Sequence, residues 1–275
     1  MSRGWRRARR HRAFVAGLVI TTAIVGTALC SLVYTPSDPL GMDIAARLRP
    51  PSPARLMGTD QYGRDVLSRV MRGAVASLAV GAVAVGIGMG LGVLLGATGG
   101  WAGGWLDEAA MRVTDAIYGF PAVLSALLVT AVFGAGVLIS MVAVGIAYVP
   151  IFARVTRANV LTLREQDFVL AARALGVSDG AIVRRHILPN TVSPLIVQAT
   201  ISFPLAILAE AALSYLGLGT QPPQPSWGLM LREAQSFLAL APWFAIFPGA
   251  AIATAVLGFN LLGDGLRDLL DPRTR

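Results

Sequence analysis

The sequence contains no lysine, a single cysteine and few charges, and each scarcity excludes a class of site. Without lysine, the chain cannot build a Walker loop, whose lysine reaches the β- and γ-phosphates of ATP. Because Cys30 is alone, an intrachain disulfide is impossible. His11 and His186 lie far apart in sequence and have no thiolate nearby, so we expect no zinc site. With no nucleophile elbow and no paired acids with a base, we expect no catalytic site and no bound cofactor.

The residues that are abundant are apolar. Hydrophobic residues make up 55% of the chain and charged residues 14%, whereas a soluble protein is about 25% charged. The composition therefore predicts an integral membrane protein. The net charge of +8 is carried by arginine alone. The arginines cluster at the ends of apolar runs, which favours a topological role over nucleic-acid binding.

Six apolar runs are long enough to cross a bilayer, for which about 20 helical residues suffice. They lie at 13–34, 74–98, 116–133, 136–153, 194–216 and 242–262. The third and fourth are separated only by "FGAG", which predicts a tight hairpin. The fold class is therefore all-α, with six transmembrane helices.

The arginines also predict orientation. If the N-terminus is cytoplasmic, sixteen arginines fall in cytoplasmic segments and seven in outer ones. Cytoplasmic segments carry the excess of positive charge. We therefore expect both termini, and residues 154–190, in the cytoplasm.

Two features of the first half bear on packing. The outer segment after the first span has five prolines, which favours an extended, semi-rigid path over a folded unit. It also carries Asp60, Arg64 and Asp65, which form either self-satisfied ion pairs or a partner contact. In the second span, glycines at positions 88, 92 and 96 would let another helix approach closely.

The segment 159–190, on the predicted cytoplasmic side, contains residues that typically begin and end helices. The pattern predicts one helix through residue 175, ended by Gly176 at a position that needs positive φ. Ser178 would cap a second helix, and Pro189 would end it. Ser193 and Pro194 would then begin the fifth span.

The first of these helices places Phe168, Ala171, Ala172 and Leu175 along one side. Because the side chains of Ala171 and Ala172 are small, a partner could approach the helix backbone closely on that side. The segment is thus either a docking element with a basic rim or a solvated loop packed on its own bundle.

Two residues further along raise functional alternatives. Glu210 is an acid within the fifth span, and such a group is a functional-site hypothesis by default. A structural hydrogen-bonding role is equally compatible with its depth. Trp227 follows a proline-rich outer loop, where interfacial anchoring competes with an outer gate or a contact for a substrate-delivering receptor.

The segment 159–190 resembles the EAA signature of ABC importer permeases. The matching positions are Ala171, Ala172, Gly176, Leu188 and Pro189. The chain departs from the signature at Leu170, where glutamate is usual, and at His186, where isoleucine is usual. Four further stretches, at 58–78, 103–121, 206–231 and 260–273, are similar to the dipeptide/oligopeptide/nickel branch, and the pattern looks like its C-type subunit.

This resemblance implies the type I importer architecture in a bacterial inner membrane, with no ATPase site in the chain. A cytoplasmic ATPase would bind Mg-ATP and receive the EAA-like loop through Phe168, Ala171, Ala172, Leu175, Gly176, Leu188 and Pro189. A second permease and an extracytoplasmic substrate-binding protein would complete the complex. Peptides would be the substrate. The alternatives are nickel or another small solute, an ion-coupled secondary transporter, and a scaffold without transport.

The expected division follows from these assignments. Residues 1–72 would hold the N-terminal tail, the first span and the Pro-rich segment. Residues 73–264 would form the five-helix permease core, with the coupling helices at 159–190. Residues 265–275 would be a cytoplasmic tail.

Overall fold

The computed structural model describes residues 11–270, which form helices and turns with no β-strand among them. The α-helices are α1 (Arg12–Cys30), α2 (Val66–Ala102), α3 (Gly104–Tyr118), α4 (Ala122–Phe133), α5 (Val137–Leu163), α6 (Asp167–Ala174), α7 (Asp179–Ile182), α8 (Leu188–Tyr215), α9 (Trp227–Ala234) and α10 (Trp243–Leu270). Short 3₁₀ turns lie at Ile44–Ala46 and Gln235–Phe237, and a π-helical turn lies at Val183–Ile187. The expected tails at 1–10 and 271–275 lie outside the described residues.

Five helices of the described chain are long and apolar enough to cross a membrane. They are α1, α2, α5, α10 and the run from Asp179 to Tyr215, which contains α8. A sixth span exists only if α3 and α4 are taken together. The predicted all-helical membrane fold is confirmed.

The third predicted span, 116–133, is wrong as a single straight helix. α3 and α4 meet at a bend of 85°. Pro121 is the N-cap of α4, and a proline disfavours helical geometry in the residue before it. α4 has 12 residues, about 18 Å at 1.5 Å per residue, which is too short to cross a bilayer alone.

The most extensive contact between two helices is that of α2 with α5. A Cβ added at Gly88 would lie 2.7 Å from Cβ of Tyr148, and one at Gly92 would lie 2.8 Å from the carbonyl oxygen of Val149. Gly96 faces the backbone of Ala153 in the same way. Because these glycines have no side chain, the two backbones touch, as the spacing predicted.

The other helices complete the bundle around this pair. α8 packs on both α2 and α5, and α4 lies against α5. α1 packs along α10, where a Cβ at Gly258 would lie 2.6 Å from a methyl carbon of Ile20. One apolar cluster, with Phe152 and Leu213, joins α2, α4, α5 and α8, and a second joins α1 and α10 to α2, α8 and α9.

The connecting segment, residues 31–65, is compact, and the expectation of an extended path is wrong. It contains a 3₁₀ turn, and Thr59 and Asp60 are fully buried. Two contacts fix it to the rest of the chain: Trp243 donates from Nε1 to the Thr59 carbonyl (3.3 Å), and the Ser37 amide donates to Ser68 Oγ (3.0 Å). Its prolines therefore shape a packed segment and do not extend it.

We predict that Gly92→Ile destabilises the chain, because its Cβ would stand 2.5 Å from Cβ of Phe152. Overpacking of this kind costs about 1–3 kcal/mol. The measurement is the thermal unfolding midpoint of the detergent-solubilised chain. Gly86→Ile is the matched control, because no atom outside its own helix backbone lies within 4 Å of a Cβ there. Equal midpoints for the two variants would contradict this account of the α2–α5 contact.

Candidate functional site

The loop segment, residues 164–187, is fixed to the end of the bundle by its own apolar core. Val169, Ile182 and Ile187 are fully buried and form one cluster with Val160 of α5 and Ala97 of α2. The loop is therefore packed on the end of the bundle formed by α2 and α5.

The helices of the loop begin and end differently from the sequence prediction. The predicted continuous helix breaks at residues 164–166, between α5 and α6. Ser178 occupies the N-cap of α7, but its side chain makes no capping hydrogen bond. Gly176 has φ of 75°, which confirms the predicted turn.

The prediction that Pro189 ends a helix is wrong. The π-helical turn Val183–Ile187 leads directly into α8. Pro189 lies in the first turn of α8, and the helical run continues through it. Ser193 and Pro194 accordingly lie inside α8 and do not begin it. The loop and the long helix are one continuous run, Asp179–Tyr215.

The exposed face of the loop is apolar at its centre. Phe168 is 43% exposed and Leu175 is 83% exposed, and Ala171 lies between them on the surface. Ala172 was predicted on the same face but is 8% exposed and packs in the cluster beneath. Leu188 is half-buried and Pro189 is exposed. The apolar surface that a partner could contact therefore includes fewer of the predicted residues than the sequence indicated.

Arginine side chains lie on the loop segment and on the adjacent helix end. Arg173 lies with Cζ 4.8 Å from the ring centroid of Trp101, and Arg184 and Arg185 are exposed. Arg157 of α5 makes two 2.6 Å hydrogen bonds to the carboxylate of Asp107 in α3. The Arg157–Asp107 pair was missed, because nothing in the sequence joins residues so far apart.

Glu210 lies at the opposite end of α8 in a cage of hydroxyl groups. It is fully buried and accepts hydrogen bonds from Ser77 Oγ (3.1 Å), Ser214 Oγ (2.6 Å) and Thr220 Oγ1 (3.3 Å). These donors belong to α2, α8 and the loop after α8. Of the two roles left open by the sequence, the contacts favour the structural one, because the carboxylate links three segments and has no exposed surface.

Four charged residues, here called the four-charge cluster, join the connecting segment to α2 and α9: Asp60, Arg64 and Arg69 are buried, and Glu233 is 13% exposed. Arg64 Nε lies 2.6 Å from Asp60 Oδ2, and Arg69 also pairs with Asp60. Arg69 Nη2 lies 2.8 Å from Glu233 Oε2, and Arg64 Nη2 lies 3.3 Å from Glu233 Oε1. The self-satisfied alternative for Asp60 and Arg64 is therefore the one observed. Arg69 and Glu233 were missed.

Two further predicted contact residues are also internal. Asp65 caps α2 by accepting a 2.8 Å hydrogen bond from the Ser68 amide. Trp227 is 2% exposed, and its Nε1 donates to the Val70 carbonyl at 2.9 Å. Their burial leaves neither side chain available to a receptor. Across residues 11–270, no three His, Cys, Asp or Glu side chains lie together so that they could hold a metal.

Comparison with known proteins gives two family matches. The profile of the binding-protein-dependent transport system inner membrane component matches residues 88–275. The profile of the N-terminal transmembrane domain of oligopeptide transport permease C matches residues 1–51. Together they cover most of the chain.

Individual relatives agree with these profiles. A dipeptide transport system permease protein of Alkalihalophilus pseudofirmus is 42% identical, with 98% of this chain and 90% of that protein covered. A putative peptide transport system permease protein of Brucella abortus is 43% identical, with coverage of 98% and 91%. A glutathione transport system permease protein of Salmonella typhimurium is 48% identical, with coverage of 98% and 90%.

We predict that Arg69→Met unfolds or strongly destabilises the chain, because it leaves Asp60 and Glu233 with one fewer cation in a buried site. Breaking a buried pair costs about 3–5 kcal/mol of folding free energy. The measurement is the amount of monodisperse protein recovered on size-exclusion chromatography, which should fall. The control is Arg112→Met, which removes an exposed pair with Glu108 at 3.4 Å and should have little effect. Indistinguishable behaviour of the two variants would show that the four-charge cluster does not hold the segments together.

Proposed function

Because the chain belongs to the family of binding-protein-dependent transport system inner membrane components, we propose that it is one of two permease subunits forming the path of an ATP-driven peptide importer. The chain is a multi-pass protein of the bacterial inner membrane and an ABC transport permease. The partner subunits, the substrate and the orientation belong to the proposal.

The observation that carries the proposal is the exposed apolar face on an anchored loop. Phe168 and Leu175 stand out from a segment whose other side is locked into the bundle. An exposed apolar patch with a polar rim is typical of a protein contact. We assign it to a cytoplasmic ATPase subunit, which would seat the loop in a groove and bind the Mg-ATP for which this chain has no lysine.

Coupling would follow from the continuity of the loop with the bundle. The run Asp179–Tyr215 is helical through 37 residues, with the π-helical turn Val183–Ile187 near its start, and is about 55 Å long at the α-helical rise. An ATPase that moves the loop would therefore move this helix as a rigid body. Its far end is joined to α2 through Glu210 and Ser77, so the motion would reach the opposite face of the bundle.

The proposed orientation places the loop segment and both termini in the cytoplasm and the connecting segment outside. The division into an N-terminal unit (1–72), a permease core (73–264) and a tail (265–275) is proposed with it. A distinct second permease would complete the path, and an extracytoplasmic binding protein would deliver the solute.

The proposed substrate class is dipeptides and oligopeptides. Support comes from the names of the relatives, which specify dipeptide, peptide and glutathione transport. An ion-coupled secondary transporter would need an accessible charged site within the spans. Glu210 does not offer one, because it is fully buried among hydroxyl groups of its own chain.

We predict that Leu175→Asp abolishes co-purification of the ATPase subunit. The change places a charge at the centre of the apolar face, where it would be desolvated on binding. The measurement is a mild-detergent pulldown of the tagged chain from native membranes, with partners quantified by mass spectrometry. The wild-type chain should recover a Walker-loop ATPase, a second permease and a solute-binding protein.

Leu240→Asp provides the matched control. Leu240 is 71% exposed, which resembles Leu175, but it adjoins the apolar cluster at the N-terminal end of α2, opposite the loop. The control should keep the ATPase. A wild-type chain recovered alone would refute the importer, whereas ATPase retention by Leu175→Asp would refute only the assigned docking face.

We also predict that Gly176→Val uncouples ATP hydrolysis from peptide uptake, since a β-branched residue is strained at φ of 75°. The measurement is peptide uptake per ATP hydrolysed in proteoliposomes that contain the assembled transporter. Gly180→Val is the control: it lies in the same loop, without positive φ and with open space around a Cβ. Normal coupling in Gly176→Val would remove the turn from the mechanism.

A further inference from the structure

A cleft of about 470 Å³ opens between the last third of α2 and the start of the Asp179–Tyr215 run. Its walls are apolar, with Val93, Leu94 and Ala97 on one side. Val183 and Leu188 face them from the other side. This size falls within the range of small-molecule sites, and the walls suit a hydrocarbon chain.

The cleft is lined by one charged residue of each sign, Arg184 and Asp179, and by Trp101 at the end of α2. Arg173, which does not line the cleft, stacks on the Trp101 ring. Among residues 11–270, the guanidinium of Arg184 has no ion pair or hydrogen bond. Arg184 is therefore the cleft residue that could pair with an anion, and Arg173 adds a second guanidinium beside Trp101.

We propose that this cleft binds one anionic phospholipid of the adjoining leaflet, with an acyl chain between the walls and the phosphate on Arg184. Basic pockets between transmembrane helices at the cytoplasmic side bind such headgroups. Guanidinium groups hold phosphate by charge-assisted hydrogen bonds, and tryptophan favours the interface. The inference rests on the proposed orientation, which places this end of α2 at the cytoplasmic side, and not on the solute that the chain transports.

The charge and the open space select this occupant. No atom outside its own helix backbone lies within 4 Å of a Cβ placed on Gly90, which lines the cleft. The Arg184 guanidinium, which has no ion pair or hydrogen bond among residues 11–270, would gain a partner from an anion. A neutral apolar ligand would bury that charge without a counter-charge. Phe168 and Leu175, the exposed apolar residues assigned to the ATPase, do not line the cleft, whereas Arg184 and Leu188 border both surfaces.

The lipid would also have a structural consequence at this site. Val183 and Leu188 belong to the π-helical turn and to the first turn of α8. An acyl chain against both would support the junction through which loop motion enters the long helix. Anionic lipid would therefore increase the stability of the loop end of the transporter.

The test is photolabelling of the assembled transporter, purified in mild detergent, with phosphatidylglycerol that carries a photoreactive acyl chain. Labelled peptides are identified by mass spectrometry. We expect label at residues 90–101 and 183–188, and far less from the matching phosphatidylcholine probe. Arg184→Gln should lower labelling by phosphatidylglycerol about tenfold, the loss expected for one charge-assisted hydrogen bond.

Two matched controls make the test specific. Arg185→Gln removes the neighbouring exposed charge, which does not line the cleft, and should keep the label. Gly90→Phe should fill the cleft and abolish labelling. Gly86→Phe makes the same change one turn away, where a Cβ is equally unhindered, and should not.

Three results would overturn the proposal. Equal labelling of wild type and Arg184→Gln would remove the anion site. Equal labelling by phosphatidylglycerol and phosphatidylcholine would reduce the cleft to a nonselective lipid contact. Label at residues 90–101 that survives in Gly90→Phe would place the lipid elsewhere. None of these results bears on recovery of the ATPase, so failure here is distinguishable from failure of the importer assignment.

Discussion

The backbone contact between α2 and α5 is the interaction on which the rest of the chain depends. In a bilayer, helices gain little from the hydrophobic effect when they associate, so close packing and polar contacts must hold them together. The glycines facing Tyr148 and Val149 bring the two backbones within touching distance. α8 packs on both helices and thereby gains a fixed position. The loop segment and the cleft lie at one end of this frame, and the four-charge cluster lies at the other.

Polar groups secure each end of the frame in a different way. At the loop end, exposed arginines and the Arg157–Asp107 pair meet an environment that is partly aqueous. At the opposite end, Asp60 and Arg69 are fully buried and balance each other with Glu233 and Arg64. A buried charge network adds little net stability but makes the loss of one member costly. The end with the buried network is therefore suited to stay rigid, and the loop end to engage a partner.

The sequence was informative wherever a feature depends on neighbouring residues. The glycine row in the second span and the positive φ of Gly176 were predictable, because spacing and local backbone chemistry determine them. The four-charge cluster was only half predictable, since Arg64 and Glu233 are 169 residues apart. Pro189 misled because it stands where the π-helical turn Val183–Ile187 passes into α8, and the helical run continues through it. Burial of Trp227 and Ala172 likewise depends on helices that the pattern could not bring together.

The π-helical turn Val183–Ile187 has a geometric consequence for the loop segment of this chain. A π-turn holds one residue more than an α-turn, and each helical residue corresponds to a rotation of about 100°. The extra residue therefore sets the azimuth at which the loop leaves the long helix. If that residue were lost, the same side chains would remain, but their apolar face would point in another direction. The register of this single turn thus determines the direction in which the proposed docking surface faces.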